Sequence, residues 1–345
     1  MTRRRVLLGA FLVIAVTCSI GLMMSSSGPR PEHTIRIAML GSANDEDYDG
    51  AMAFKRHVEV VTHERLKVEL YPSGQFCSTE RECLEGLQSG ILQVFMFTTG
   101  GFGSVFGPAQ VLDLPYAFED DRIAECVLDG PLLQELGQVI LDAELGIRLM
   151  TVSNTGGWRN FATTDRPVRS PDDLLNLKVR TITAPLQQEL VRQLGGNPTP
   201  VSWPEVYTAL ATGVVKGTKN GIHDIVSMQL HEQIRFVTLD GHAYMGGLWW
   251  YSETSWQTLS AKDKEILREG FHKLKMTTRA AIKRWETESY EAFQASGGVL
   301  ISLDNESRDA FRRGVRGIRD WYRQTYGDPW LDKLDQAVKR CEQRP

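Results

Sequence analysis

A chain of 345 residues is long enough to form two domains of ordinary size. Hydrophobic residues make up 42% of it and charged residues 24%, which is typical of a folded globular protein and excludes extensive disorder and a polytopic membrane protein. The formal net charge is −4, and no long basic run follows the first few residues. The composition therefore does not favour a nucleic-acid-binding function.

The first 28 residues predict export from the cytoplasm. Arg3, Arg4 and Arg5 precede an uncharged run over 6–24, and small residues follow up to position 28. A basic segment, an apolar core and a small-residue exit are the parts of a secretory signal peptide. The apolar run is nearly long enough to span a membrane, so an uncleaved N-terminal anchor is an alternative. A third alternative is that Cys18 is the lipid-modified cysteine of a lipoprotein, but the residues before it, Ala15-Val16-Thr17, match that type of signal poorly. All three place the folded chain outside the cytoplasm, in the periplasm. A cleaved signal would leave it free there, and an uncleaved anchor would tether it to the membrane.

Four cysteines follow the signal: Cys77, Cys83, Cys126 and Cys341. An exported chain permits disulfides, and four cysteines allow three connectivities. They contain no C-x-x-C, and no Cys/His spacing resembles a zinc site. Cysteine is too sparse to be the framework of the fold, so we expect one disulfide or none.

The first half of the mature chain alternates between strand and helix patterns. Period-two or buried apolar segments predict strands at 35–39, 66–71, 91–97 and 147–152. Amphipathic spacing predicts helices at 48–64, 80–89 and 125–143. A Gly-rich loop lies over 98–108. The repeated strand–helix–strand order favours an α/β fold with mostly parallel strand pairing.

A second block continues this alternation and ends in a very long helix. Strands are predicted at 158–162 and 177–181, and helices at 185–194 and 203–212, with Ser170 and Pro171 starting a further turn. Ser260 and Asp263 form a capping box that opens a helical pattern up to Gly297. At 1.5 Å per residue this helix is roughly 50 Å long, longer than one lobe is wide, so we expect it to tie two lobes together.

The sequence carries no recognisable catalytic motif. It lacks the nucleophile-elbow, zinc-protease and Walker patterns. The glycines over 101–107 nearly match a dinucleotide fingerprint, but the third falls one position late and Pro108 follows, which favours a flexible turn. His223 and Asp224, with His231 and Glu232, could suggest a metal cluster, although such pairs on a helical pattern are usually solvated or capping. We therefore predict no enzyme activity, no cofactor and no metal.

Two arginines at strand positions are the main candidates for binding. Arg159 follows Gly156-Gly157-Trp158 in an extended segment, and Arg180 ends the strand that begins at Leu177. Arginine at the mouth of a buried strand presents a permanently charged fork that can hold a carboxylate through two hydrogen bonds. From spacing alone, a salt bridge between lobes or a surface charge is the more common explanation of these residues.

An ordered series of motifs over 35–302 resembles the DctP-type solute-binding proteins, the P subunits of TRAP (tripartite ATP-independent periplasmic) transporters. The series contains Tyr71-Pro72-Ser73-Gly74-Gln75, Leu84-Glu85-Gly86-Leu87-Gln88-Ser89-Gly90, Leu112-Asp113-Leu114-Pro115-Tyr116, Gly157-Trp158-Arg159-Asn160-Phe161, Ser170-Pro171-Asp172-Asp173-Leu174, Leu177-Lys178-Val179-Arg180, Ser202-Trp203-Pro204-Glu205-Val206-Tyr207 and Gly213-Val214-Val215-Lys216-Gly217-Thr218-Lys219-Asn220. Each motif is weak alone, but their combination is specific.

The resemblance implies the positions of a ligand site. In this family the arginines that match Arg159 and Arg180 hold the ligand carboxylate. Asn220 matches a family asparagine, and Trp203 matches the aromatic residue before the Glu-Val-Tyr motif. Glu80 sits at a family position that can contact the other end of the ligand. Trp203 and Phe102 are further expected to supply apolar walls to the pocket.

Three positions depart from the family pattern. Members usually carry two acidic residues where this chain has Lys216 and Lys219. Either the ligand carries a second negative group, or these lysines face solvent and reshape a docking surface. Leu40 is apolar where some relatives place a polar ligand contact, so that end of the pocket is expected to be drier.

The resemblance implies an α/β fold of the periplasmic-binding-protein type, a two-lobed clamshell with the long helix spanning both lobes. The expected boundaries are 1–28 for the signal, 34–157 plus 246–285 for lobe I, and 158–245 plus 286–345 for lobe II. The resemblance implies a monomeric receptor that delivers a small organic acid to the small and large TRAP membrane subunits for ion-gradient-driven uptake. The alternatives are a binding module of the same fold in a sensor or another transporter, and an exported α/β enzyme. No nucleic-acid partner is expected.

Overall fold

The computed structural model describes residues 31–344. The predicted signal peptide or anchor at 1–28 lies outside the described residues. None of the helices between residues 31 and 344 combines the length and the apolar composition that crossing a membrane requires.

Strands and helices alternate along the described part of the chain. The strands are β1 His33–Ala38, β2 Leu66–Tyr71, β3 Val94–Thr98, β4 Ile147–Thr163, β5 Lys178–Thr181, β6 Asn197–Pro200, β7 Gly217–Asn220, β8 Phe236–Ser252 and β9 Val299–Ser302. The α-helices are α1 Glu46–Val61, α2 Glu80–Ser89, α3 Asp121–Leu128, α4 Pro131–Asp142, α5 Pro185–Gln193, α6 Val206–Ala211, α7 Ile222–Ser227, α8 Glu253–Gln257, α9 Ala261–Ala295, α10 Asn305–Gly314, α11 Gly317–Tyr326 and α12 Pro329–Glu342. Short 3-10 turns connect several of them.

The strands of residues 31–344 form one nine-stranded mixed sheet in the order β2-β1-β3-β8-β4-β7-β5-β6, with β9 also paired to β8. The long strands β4 and β8 lie next to each other within the sheet and pair in antiparallel orientation from one end to the other. The C-terminal half of β8 pairs with β3, and its N-terminal half pairs with β9. The two halves of the sheet therefore belong to two lobes that share these crossing strands. The predicted α/β clamshell is confirmed, and most strand pairs are parallel as expected, but the crossing strands are antiparallel.

The register of β4 shifts where the chain passes from one half of the sheet to the other. Between Asn154 and Trp158 the pairing with β8 is interrupted, and both glycines there have positive φ, +82° at Gly156 and +78° at Gly157. A side chain at Gly156 would also collide with the carboxylate of Asp224, 2.6 Å from the added carbon. Glycine is required here because this backbone conformation is unfavourable for other residues. The predicted strands at 147–152 and 158–162 are thus one kinked strand.

The long helix α9 contacts both lobes, as the sequence predicts. Ser260 caps it, accepting a hydrogen bond from the Asp263 amide at 3.1 Å. In its first half Thr278 lies against Gly50 of α1, where any added side chain would collide. In its second half Ser289 Oγ lies 3.0 Å from Nδ1 of His223 on α7. Apolar side chains at helical spacing bury one face of α9 along this path.

Two predicted helices are each divided in the structure. The segment expected at 125–143 forms α3 and α4, because Gly130 leaves the helical conformation and Pro131 starts a new first turn. The segment expected at 203–212 is a 3-10 turn, Trp203–Glu205, followed by α6. Pro204 provides the fixed φ that starts a turn but no amide donor to continue one.

The cysteines between residues 31 and 344 form two disulfides, so the expectation of one or none is wrong. Cys77 pairs with Cys83, with 5.3 Å between the Cα atoms, and Cys126 pairs with Cys341 at 5.9 Å. The first closes a short loop before α2, and the second joins α3 to the last helix, α12. Partners 215 positions apart meet only through the tertiary fold. Sparse cysteine content therefore gave no indication of this pairing.

Candidate functional site

Arg159 and Arg180 line one cleft between the two lobes, with a volume of about 670 Å³ that includes its solvent-open part. The cleft brings together all five predicted site residues: Arg159, Arg180, Asn220, Trp203 and Glu80. Residues from the first part of the chain also line it, namely Leu40, Gly41, Asp45, Glu46, Asp47, Met96, Thr98 and Thr155. A second hollow shares Leu40, Glu80, Arg180, Ile182 and Trp203 with the first, so the cleft continues outward past these side chains.

Arg180 projects from β5 with its guanidinium held on one side and free on the other. Only 4% of the residue is exposed. Its Nε donates to the Val201 carbonyl oxygen at 2.9 Å, and its Cζ lies 5.4 Å from the centre of the Trp203 ring. Burial, and then the charge of Arg159, lowers the pKa of Arg180 to about 10. The side chain is therefore still a cation at neutral pH.

Arg159 lies on β4 just after the glycine kink and is 3% exposed. Its Nη1 donates to the carbonyl oxygen of Lys219 at 3.0 Å, and its Nε lies 3.9 Å from Oδ1 of Asp113. The Nε has no hydrogen-bond partner among the described residues. A buried guanidinium beside a second guanidinium is suited to receive an anion.

Glu80 and Asn220 complete the predicted set. Glu80 begins α2, and burial raises the pKa of its carboxyl while the charges of Arg180 and Arg159 lower it. Asn220 ends β7; its Oδ1 accepts from Thr218 Oγ1 at 2.7 Å, and its Nδ2 donates to Asp224 Oδ2 at 3.1 Å. Each amide nitrogen has two hydrogens, so Asn220 keeps one donor for a ligand.

Sequence analysis missed a group of four carboxyls that also line the cleft, which we call the acidic cluster: Asp45, Glu46, Asp47 and Asp224. Asp45 caps α1 and accepts from the Tyr48 amide at 3.1 Å. The Asn-Asp-Glu-Asp run at 44–47 directly precedes the helix predicted at 48–64, and acidic residues at a helix N-terminus usually serve only as caps. Their arrival beside Asp224, far away in sequence, depends on the tertiary fold.

Hydrogen bonds hold the acidic cluster in place. Oδ2 of Asp47 accepts from Thr155 Oγ1 at 2.6 Å, and its Oδ1 accepts from Ser153 Oγ at 3.3 Å. Oε1 of Glu46 accepts from the Gly156 amide at 2.6 Å. The kink in β4 that orients Arg159 therefore also supplies donors to the carboxyls of α1.

Burial raises the pKa of every carboxyl in the acidic cluster. For Asp45 and Glu46 the pKa lies well above its usual value, first because of burial and next because of the Asp47 charge. The pKa of Asp47 rises to about 7, with burial opposed by the hydrogen bond from Thr155. Burial likewise raises the pKa of Asp224 to about 6. Four carboxyls in one buried site cannot all be charged at low cost, which is the common physical reason for these raised pKa values.

Lys216 and Lys219, the two lysines that depart from the family pattern, lie in different environments. Lys216 is partly exposed and its Nζ lies 3.6 Å from Oδ2 of Asp165, so it faces solvent as one alternative expected. Lys219 is buried, does not line the cleft, and donates to Gln187, which itself donates to Asp113. Burial lowers the pKa of Lys219 well below its usual value. Neither alternative describes Lys219, because β7 turns its side chain into the interior behind Arg159.

Of the predicted apolar walls, Leu40 and Trp203 line the cleft, but Phe102 does not. Phe102 is fully buried in the core, where its ring stacks on Trp250 with 4.3 Å between ring centres. Its prediction as a cleft wall is wrong because the 3-10 turn over Gly101–Ser104 directs the ring inward against β8.

His223 is buried within the protein instead of belonging to a histidine-rich metal site. Its ring is tilted by 33° against that of Trp285, with 4.8 Å between ring centres, and burial lowers its pKa to about 4. Among residues 31–344, no group of three His, Cys, Asp or Glu side chains has an arrangement that could hold a metal ion.

We expect Asp47→Asn to make the ligand-free protein more stable than wild type above neutral pH. A carboxyl whose folded-state pKa is raised favours the folded state at low pH, and this contribution is lost as pH rises through its folded pKa of about 7. The gain should grow from near zero at about pH 4 to roughly 2–4 kcal/mol at about pH 8. Chemical denaturation at several pH values measures it, with Asp49→Asn on the same helix as the control. A gain independent of pH would contradict the assignment.

We expect Trp203→Ala to weaken ligand binding about tenfold, because the indole ring packs on the guanidinium of Arg180 and walls the cleft. Trp203→Phe should retain most of the affinity, since it keeps an aromatic face beside the cation. Isothermal titration calorimetry of both variants tests this. Equal losses in the two variants would show that the ring face does not orient Arg180.

Comparison with known proteins places the chain in a family. The profile of the bacterial extracellular solute-binding proteins, family 7 (DctP), matches residues 37–324. A solute-binding protein of Chromohalobacter salexigens is 29% identical over 82% of each chain, and the ectoine-binding periplasmic protein TeaA of Halomonas elongata is 28% identical over 84% of this chain and 86% of its own. The crystal structure of a TRAP periplasmic solute-binding protein from Polaromonas sp. JS666, bound to D-erythronate, is 26% identical, covers 89% of this chain and 98% of that one, and has a TM-score of 0.82.

The fold and cleft are those of a solute receptor with two lobes. The chain belongs to the DctP family of bacterial extracellular solute-binding proteins. The family resemblance stated from the motifs is confirmed, and so is the prediction of a transport-related binding protein instead of an enzyme.

Proposed function

We propose that this protein is the periplasmic receptor of a TRAP transporter and binds a small organic acid through Arg159 and Arg180. The observation that carries the proposal is the meeting of two nearly buried guanidinium groups in one interlobe cleft. Asn220, Trp203 and Glu80 orient the rest of the ligand. The bound acid then passes to the small and large membrane subunits, which use an ion gradient.

The physical argument rests on the cost of burying charge. A carboxylate that leaves water must be paired and hydrogen-bonded to be tolerated inside a protein. Two buried guanidinium groups side by side are also unfavourable, because both positive charges have left water and repel each other. Burial, and then the charge of Arg159, lowers the pKa of Arg180 for this reason. A carboxylate between them removes both costs, so the ligand and the arginines stabilise each other. Charge-assisted hydrogen bonds of this kind contribute roughly 1.5–3 kcal/mol each.

Contacts from both sides of the cleft explain how the ligand controls closure. We propose lobe I as 34–157 plus 246–285 and lobe II as 158–245 plus 286–345. Arg159 and Arg180 then belong to lobe II, while Glu80 and Leu40 belong to lobe I. A ligand that touches both lobes stabilises the closed form over the open one, which is a hinge motion biased by binding. We propose that the receptor acts as a monomer, with residues 1–28 as its export signal.

The relatives bind acids of different shapes, so the family does not name the ligand. The structures include proteins with bound D-erythronate and succinate, and the curated relatives include proteins named for sialic acid and ectoine. Each of these ligands contains an acidic group. The chemistry of the tail must be set by other residues of the cleft.

A thermal-shift screen of organic acids on the purified protein tests the proposal. A ligand that binds only the folded state raises the melting temperature, by an amount that grows with its concentration over its Kd. At least one carboxylate should stabilise the wild type and fail to stabilise an Arg159→Ala variant. Stabilisation by non-acidic solutes alone, or equal stabilisation of the variant, would contradict it.

A further inference from the structure

More carboxyl groups than arginines line the cleft, and three of the carboxyls are consecutive in the sequence. Asp45, Glu46 and Asp47 come from the start of α1 in the proposed lobe I, and Asp224 from α7 joins them. Burial, and next the charges of other carboxyls in the same group, raise the pKa values of Asp45 and Glu46. The acidic cluster therefore forms a local negative centre within the ligand cleft.

Five carboxyls and two arginines line the cleft, so the charges of Arg159 and Arg180, which lower the pKa of Asp224, do not balance the acidic cluster. His223 lies beside the cluster, with its Nε2 3.5 Å from Oε2 of Glu46. That imidazole is neutral because burial holds its pKa at about 4. Oε2 of Glu46 has no hydrogen-bond partner, although the residue is only 1% exposed and lines the cleft. Nε2 of His223 also lacks a hydrogen-bond partner, and the neutral imidazole supplies no charge to this oxygen, so a cationic donor on a ligand would pair with it more strongly.

Arg180 shows the complementary deficit at the other charged centre. Its Nε donates to the Val201 carbonyl oxygen, and no hydrogen bond within residues 31–344 uses its Nη1 or Nη2. The cleft thus holds an unused donor on a cation and an unused acceptor on an acid. A ligand that satisfied both would carry an anionic group and a cationic, hydrogen-bonding group in one molecule.

We propose that the receptor is built for zwitterionic carboxylic acids, with the carboxylate on Arg159 and Arg180 and a cationic nitrogen against the acidic cluster. This inference rests on the proposed function and specifies its ligand class. A dicarboxylate would bring a second negative charge to a centre that already lacks a cation, which is unfavourable in a buried site. An amino, amidino or guanidino group would instead pair with the carboxyls and keep them ionised.

The remaining walls fit the stem of such a molecule. Leu40, Met96 and Met245 line the cleft with apolar surface. Methionine side chains adapt to irregular shapes and are polarisable, so they tolerate a hydrocarbon stem near a cationic group. The site therefore offers separate regions for an acid, a short apolar stem and a base.

Matched ligands separate this inference from the proposed function. The probes are ω-amino and ω-guanidino carboxylates with two to six carbons, each paired with the chain-matched monocarboxylate and dicarboxylate, and binding is measured by thermal shift and calorimetry. The variants are Asp47→Asn, which removes a charge from the acidic cluster, and Asp49→Asn, which removes one from the same helix outside the cleft. Glu46→Gln gives a second variant should Asp47→Asn fold poorly.

The zwitterion that binds most tightly should bind at least about tenfold more tightly than its matched monocarboxylate and its matched dicarboxylate. Asp47→Asn should remove this preference. The control Asp49→Asn should keep it. Tighter binding of a monocarboxylate or dicarboxylate that still requires Arg180 overturns the zwitterion inference and leaves the proposed function intact. Stabilisation by calcium alone, or by amines without a carboxylate, overturns both. An unchanged preference in both Asp47→Asn and Glu46→Gln overturns the role of the acidic cluster.

Discussion

Arg180→Ala should reduce the affinity for the cognate acid by about 3–5 kcal/mol, more than a hundredfold in Kd. The carboxylate would remain buried in the cleft with Arg159 as its only guanidinium partner, and an incompletely paired buried charge is costly. Arg180 is 4% exposed, so water cannot replace it without reopening the cleft. Calorimetric titration of the variant against the wild type measures the loss.

Two controls show whether the guanidinium itself is responsible. Arg180→Lys keeps the charge but loses the planar fork and the hydrogen bond from Nε to Val201, so it should recover only part of the affinity. Arg192→Ala removes an exposed arginine from α5 and should leave binding unchanged. Circular dichroism melting of each variant without ligand separates loss of binding from loss of folding. Wild-type affinity in Arg180→Ala would exclude this residue from the site.

Removing the Cys126–Cys341 disulfide should have the largest effect on stability. The bridge joins residues separated by 215 positions, and a cross-link that closes a long loop removes much conformational freedom from the unfolded chain. The double variant Cys126→Ala/Cys341→Ala should lose roughly 2–5 kcal/mol and melt roughly 4–15 °C lower. The loss includes the anchoring of α12, whose Cys341 is buried against α3.

The matched control is the double variant Cys77→Ala/Cys83→Ala. This bridge spans only 6 positions, so the loop that it closes is short and its removal should cost less. Differential scanning calorimetry of the oxidised wild type and both double variants compares the two. A larger loss from the short bridge would show that local packing before α2, instead of loop closure, sets the contribution of the disulfides.

Local sequence patterns predicted most of the elements because each depends on residues close in the chain. The capping pair at Ser260 and Asp263 marked the start of α9, and alternation over 66–71 marked β2. The single β4 strand was not predicted in full, since Gly156 and Gly157 interrupt its pattern while continuing its path. The crossing of β4 and β8 between lobes needs long-range pairing, which periodicity does not contain.

The ligand site was predicted in part, and for a different reason. Arg159 and Arg180 were identified by resemblance to a family, while their residue types and spacing alone favoured a structural salt bridge or a surface charge. The acidic cluster was missed because Asp45 and Asp47 have the spacing of ordinary helix-capping residues. Lys219 was misjudged because its orientation depends on the pairing of β7 with β4. These are tertiary properties, and each became visible only when segments distant in sequence were brought together.

The most direct test of the account is a crystal structure with the tightest-binding acid from the ligand screen. We predict that both oxygens of its carboxylate lie within hydrogen-bonding distance of the guanidinium groups of Arg159 and Arg180, with the lobes closed around it. A carboxylate bound elsewhere, or held in the cleft without contact to either guanidinium, would contradict the central claim.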